Sequence, residues 1–191
     1  MELDPLLLAR TQFAFTISFH IIFPAFTIGL SAYIAVLLLL WMRSGEEKFY
    51  RLARFWTRIF AISFAMGVVS GIVLTYQFGT NWSRFAAFSG NVIAPLIAYE
   101  VLTAFYLEAT FLGVLLFGWN RFPPWLITTA AVLVAIGTAI SAFWILSANS
   151  WMQTPAGHEI RDGIAHPRDW IEIIFSPSFP YRLAHMLNAA Y

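Results

Sequence analysis

Residues 13–42 read FAFTISFHIIFPAFTIGLSAYIAVLLLLWM, thirty positions without one Asp, Glu, Lys or Arg. At 1.5 Å per residue a helix of this length reaches about 45 Å, more than the roughly 30 Å of hydrocarbon in a bilayer. A barrel strand would instead show about ten residues of alternating polarity. Inside a bilayer every backbone N–H and C=O must be paired within the protein, and a helix does this unaided. The stretch is therefore a membrane-spanning helix.

The same reading recurs outward along the chain, at about 55–78, 92–117 and 125–146. A fifth apolar segment, 181–191, is too short to span. The expected fold is all-α: an integral membrane helical bundle of four complete transmembrane helices plus the start of a fifth. It forms a single transmembrane domain over 1–191, read as the first part of a longer chain. Composition agrees. Hydrophobic residues make up 60% and charged residues 11%, where soluble domains have about 45–50% and 25%; mean hydropathy is +0.72. The net charge of +1 suggests no nucleic-acid partner. The absence of cysteine removes thiolate metal sites, disulfides and covalent c-type haem attachment. The first five residues, MELDP, are acidic, and no small-residue cleavage site follows. The first span is thus expected to stay as an anchor rather than leave as a signal peptide.

Orientation follows from Lys and Arg. The link after the first span holds Arg43, Lys48, Arg51 and Arg54, and the link after the third holds Arg121. The link after the second holds only Arg84. That after the fourth offsets Arg161 and Arg168 with Glu159, Asp162, Asp169 and Glu172. The first and third links are expected in the cytoplasm, with the N-terminus outside. Trp41, Trp56, Trp82, Trp119, Trp125, Trp151 and Trp170 fall near span ends, as an aromatic belt does. The 161–180 loop is the only sizeable connector expected, and His158 and His166 are expected to be solvated in the polar stretch after the fourth span.

Ionisable side chains within spans cost several kcal/mol and persist where they have a partner or a task. His20 lies among Phe19, Ile21, Ile22 and Phe23, with Pro24 following. It suits either a bond to a neighbouring helix or axial ligation of a haem. Glu100 and Glu108 share the third span, about 12 Å apart along a regular helix and about 80° around it. They read either as buried carboxyls bonded to other helices or as a proton path, since burial favours a neutral, exchangeable acid. His185 opens the fifth segment with Arg182 one turn before it. It reads as an interfacial side chain or as a second haem ligand, with Arg182 available to a propionate. Ser141 and Thr138 are weaker candidates for a polar path, because hydroxyls often bond the preceding turn. Gly67, Gly71, Gly113 and Gly137 are expected to allow close helix packing. In the orientation above, His20, His185 and Glu100 fall in the outer half of the bilayer and Glu108 near mid-depth. A proton-coupled transporter would be expected to show inverted repeats, and none is visible. A cofactor-free scaffold would leave these four residues unexplained.

Several stretches together resemble subunit I of the cytochrome bd family of quinol oxidases. They are Arg10-Thr11-Gln12-Phe13-Ala14-Phe15 with His20 downstream, Tyr76-Gln77-Phe78-Gly79-Thr80-Asn81-Trp82-Ser83, and Ala94-Pro95-Leu96 leading to Glu100. Phe105-Tyr106-Leu107-Glu108-Ala109-Thr110-Phe111, Phe117-Gly118-Trp119, Ser141-Ala142-Phe143-Trp144-Ile145-Leu146, Trp151-Met152-Gln153-Thr154-Pro155 and His185 complete the set. The resemblance covers essentially the whole chain, and Phe19 to Pro24 are worded more like the cyanide-insensitive subgroup. It implies an enzyme that oxidises membrane quinol and reduces O2 to water, adding to the proton-motive force without pumping. It implies a low-spin haem b, a high-spin haem b and a haem d, or haem b in its place. The implied setting is the bacterial cytoplasmic membrane, with subunit II as partner. By position, His20 resembles the axial ligand of a high-spin haem and His185 one ligand of the low-spin haem. Arg10 and Arg182 are implied at the cofactors, Glu100 beside the di-haem site, and Glu108 and Ser141 in the proton path. The family's Met ligand, later carboxylate and quinol-binding loop fall beyond the matching positions, so this stretch alone is not expected to turn over.

Overall fold

A computed structural model describes residues 4–191, so Met1 to Leu3 of the acidic start lie outside the described residues. Asp4 caps the first helix by accepting from the Leu6 amide at 2.9 Å, and Pro5 occupies the first turn, where its missing N–H costs nothing. This helix, α1 (Pro5–Ser44), ends at Gly45 with φ 69°, a left-handed stop that favours glycine. The link to α2 (Glu47–Gly79) is so short that the two helices run antiparallel. A three-residue turn leads to α3 (Ser83–Glu100), which continues through a π-helical turn, Val101–Phe105, into α4 (Tyr106–Phe117). After residues 118–123 comes α5 (Pro124–Gln153).

Four helices are long and apolar enough to cross a membrane: Pro5–Ser44, Glu47–Gly79, Ser83–Phe117 and Pro124–Gln153. This is the expected all-α membrane bundle, with longer helices than the apolar runs alone predict. Charged ends such as Glu47 to Arg54 remain helical outside the apolar stretch, because helix propensity does not stop at a change in polarity. Phe15, Ile22, Ile62, Val69, Ile72 and Leu102 are exposed and turn their apolar side chains away from the two buried clusters.

Two buried clusters hold the bundle. At one end Leu38, Ala53, Phe60, Leu115, Ala130 and Val134 interlock. There Trp41 packs on Tyr50 at 4.9 Å and Tyr50 on Trp119 at 5.4 Å, tying the α1–α2 link to the end of α4. The two basic links therefore share one end of the bundle. At the other end Val92, Leu96, Ala148 and Trp151 pack against Ala165 and Ile173.

The residues after α5 are more ordered than a plain connector. Strands β1 (His158–Arg161) and β2 (Ile164–Pro167) pair antiparallel. Asp162 (φ 50°) and Gly163 (φ 76°) form the two-residue turn that such hairpins favour. Helix α6 (Trp170–Ile174) follows, capped by Asp169, and then α7 (Phe179–Ala190). His158 and His166 are half-buried rather than solvated. The His158 ring packs edge-on against Trp151 at 5.2 Å, and the His166 ring reaches Asn91 at 3.4 Å. The loop's polar sequence hid this because four-residue strands are too short to show a period.

Candidate functional site

The two intramembrane acids meet one helix. Ser141 donates its hydroxyl to Glu100 Oε1 at 2.7 Å, across from α3 to α5. One turn earlier on α5, Gly137 faces Glu108: a Cβ on that glycine would lie 2.7 Å from Glu108 Cγ. Glu108 is only 6% exposed, and its Oε1 has no hydrogen-bond partner. Among the described residues, neither acid is ion-paired, since the two salt bridges are Lys48–Glu46 and Arg161–Glu159.

The separation of about 80° expected for a regular helix is corrected by the π turn at Val101–Phe105. A π turn closes i→i+5 bonds and absorbs one residue more than an α turn. Eight residues then rotate like seven, which brings Glu100 and Glu108 within about 20° of each other. Both can therefore face the stripe of Gly137 and Ser141. Thr103, inside the π turn, donates to the Tyr99 carbonyl at 2.6 Å and accepts from Trp144 Nε1 at 2.9 Å, a further tie to α5. Sequence reasoning missed both the π turn and the Trp144 bond. Only the glycine in an otherwise well-packed helix hinted at the contact with Glu108.

Thr138 does two things at once. It donates to its own helix at Ala135 and meets Ser31 of α1 at 2.9 Å, so a hydroxyl pair lies one residue beyond Gly137. Of the four glycines expected to allow close packing, Gly67, Gly71 and Gly137 have a neighbour within reach, whereas Gly113 has none within 4 Å.

His20 stands on a different pair of helices. Its Nδ1 is 2.9 Å from Ser70 Oγ of α2, and the ring is half-buried. The Nε2 edge makes no hydrogen bond among the described residues. A Cβ on Gly71 would lie 3.4 Å from the ring at Cε1, so the glycine leaves clearance beside it. His185 is exposed on α7, while Arg182 one turn earlier donates to Asn149 of α5 at 2.8 Å. Arg10 is exposed near the start of α1. No hydrogen bond joins the histidines to the acids among the described residues. The site is thus two arrangements in one bundle: a carboxyl pair carried by α3 and α4 and facing α5, and two imidazoles, each presented from a helix wall. Groups of three metal-ligating side chains are absent among the described residues. A haem needs only one or two axial side chains, because the porphyrin occupies the other positions, and an imidazole fixed at Nδ1 with Nε2 open fits that demand.

The Tyr76 to Ser83 string also gains a role. The Gln77 carboxamide accepts from Gln12 at 3.2 Å and from Asn81, binding the turn to α1.

Residues 8–191 match the family described as cytochrome bd terminal oxidase subunit I. The chain is 40% identical over 188 residues to "Cytochrome bd ubiquinol oxidase subunit 1" of Bacillus subtilis, covering 98% of this chain and 40% of that protein. It is 36% identical over 190 residues to "Cytochrome bd-II ubiquinol oxidase subunit 1" of Escherichia coli, covering 98% and 37%. Its backbone matches a chain of the bd oxidase from Geobacillus thermodenitrificans with a TM-score of 0.92 at 35% identity, over 98% of this chain and 44% of the other. The chain thus spans about two fifths of the length of these curated relatives.

Proposed function

The chain belongs to the cytochrome bd terminal oxidase subunit I family, and from that premise we propose that it serves a respiratory oxidase that oxidises membrane quinol and reduces O2 to water. Two quinols release four electrons and four protons; one O2 takes up four of each and becomes two waters. Quinol protons leaving outside and chemical protons entering from the cytoplasm add to the proton-motive force without pumping. Bound haem, two of type b with a haem d or further haem b, supplies the one-electron iron chemistry between the two substrates.

The remaining work belongs to side chains of this chain. His20 and His185 would hold haem iron through a ring nitrogen each. Arg182, steered by Asn149, and Arg10 supply positive charge to propionates. Glu108 takes a proton from the cytoplasmic side and hands it toward Glu100, which the Ser141 hydroxyl orients. The setting is the bacterial cytoplasmic membrane, with the N-terminus outside, and subunit II is the partner.

The observation that carries this reading is the carboxyl pair: two acids inside spanning helices, facing one stripe of α5 and unpaired with any cation among the described residues. Such a pair is costly as architecture and suited to carrying protons. The test is optical. The full-length protein purified with its partner should show b-type haem bands, with d-type bands where haem d is the third haem, and absorbance without any haem band would end the oxidase reading.

A further inference from the structure

His20 sits four residues before Pro24, at a weak point of α1. Proline has no N–H, so the His20 carbonyl loses its helical partner, while the ring makes its hydrogen bond outside α1. The bond that fixes it comes from α2. Ser70 is 7% exposed, and its Oγ has three close neighbours: His20 Nδ1 at 2.9 Å, Met66 O at 2.8 Å and Gly67 O at 3.0 Å.

A hydroxyl carries one proton and can also accept. Both carbonyl oxygens are acceptors only, so the Ser70 proton must lie toward them; otherwise two oxygen–oxygen contacts of 2.8 and 3.0 Å would be left without a hydrogen. Ser70 Oγ then has lone pairs, and no proton, for His20. The imidazole must donate from Nδ1, and in the neutral ring the lone pair is left on Nε2. The serine's own helix sets its polarity, and the serine sets the histidine's.

We propose that Ser70 is a positioning residue that holds His20 as the Nδ1–H tautomer and aims the Nε2 lone pair at the iron of a bound haem. The inference rests on the reading of His20 as an axial ligand. A carbonyl-anchored hydroxyl at this place does for His20 what a carboxylate or backbone carbonyl commonly does for a metal-bound imidazole: it fixes the ring rotation and strengthens the donor.

The test uses the holoenzyme with Ser70→Ala, Ser70→Thr and Ser70→Cys, read by resonance Raman of the reduced protein and by haem retention. Loss of the Nδ1 bond should lower the iron–histidine stretching frequency in Ser70→Ala and raise the rate of haem loss by about tenfold. Ser70→Thr, which keeps the hydroxyl, should restore both. Ser70→Cys, a weaker acceptor, should fall between and keeps the test decisive if Ser70→Ala does not assemble. An unmoved stretching frequency in the Ala and Cys variants overturns the role of Ser70. Retention of every haem signal in His20→Ala overturns the ligand reading beneath it, so the two failures are distinguishable.

Discussion

Replacing Gly137 by alanine adds one methyl group where Glu108 already lies. The new Cβ would stand 2.7 Å from Glu108 Cγ and 3.6 Å from the Ala104 carbonyl oxygen. Carbon atoms rest at about 3.5–4.0 Å, so the Glu108 side chain must retreat by about 0.8 Å or more. Ala104 is fully buried, which closes one direction of retreat. Forced repacking of this kind costs about 1–3 kcal/mol, offset by the roughly 1 kcal/mol that alanine gains over glycine in a helix. Gly113→Ala is the control, because nothing lies within 4 Å of its Cβ; it receives the gain without the clash. Thermal unfolding of the detergent-solubilised complex should show a lower midpoint for Gly137→Ala and an equal or higher one for Gly113→Ala. Oxygen uptake should also fall in Gly137→Ala, since a displacement near 1 Å can cost a transfer step up to about a hundredfold. In a Glu108→Ala background the opposing atom is gone, and Gly137→Ala should become neutral or stabilising. Equal midpoints for the two glycine variants, or the same penalty with and without Glu108, would refute the reasoning.

Glu108→Gln should slow oxygen reduction by about a hundredfold or more while haem spectra persist; unchanged turnover would remove Glu108 from the proton path. His185→Ala should abolish the low-spin b signal and leave the d signal largely intact, and a retained low-spin signal would rule out His185 as its ligand. Gly157→Ala should loosen the hairpin by about 1 kcal/mol or more, because φ there is 67° and the Cβ would meet the Asp169 carbonyl at 2.5 Å; faster proteolysis between β1 and α6 is the readout.

The bundle was legible because apolar runs of more than twenty residues are hard to mistake, and the basic links did fall at one end of it. The isolated acids and His20 announced themselves by being charged or polar in apolar surroundings. Their partners did not. Ser70 looks like any small hydroxyl in a span and Ser141 stood out only as a weaker candidate for a polar path; three-dimensional packing is what brings Ser70 to His20 and Ser141 to Glu100. The hairpin after α5 escaped because its strands are short and its residues mixed. The π turn escaped for a different reason: Val101-Leu102-Thr103-Ala104-Phe105 has the composition of any α-helix, so nothing in it marks the wider winding.

That winding makes chain length between Glu100 and Glu108 matter more than chemistry. Single substitutions at 101–105 leave the count of residues between the two acids untouched. Deleting one residue there would let the segment relax into ordinary helix with the acids still nearly in line, and a sequence comparison would score it as severe. Inserting one would turn everything from Glu108 to Phe117 by about 100°, swinging the acid off α5 while altering no other side chain. The segment behaves as a phase adjuster: its register is inherited by every residue downstream, and it tolerates losing a residue far better than gaining one.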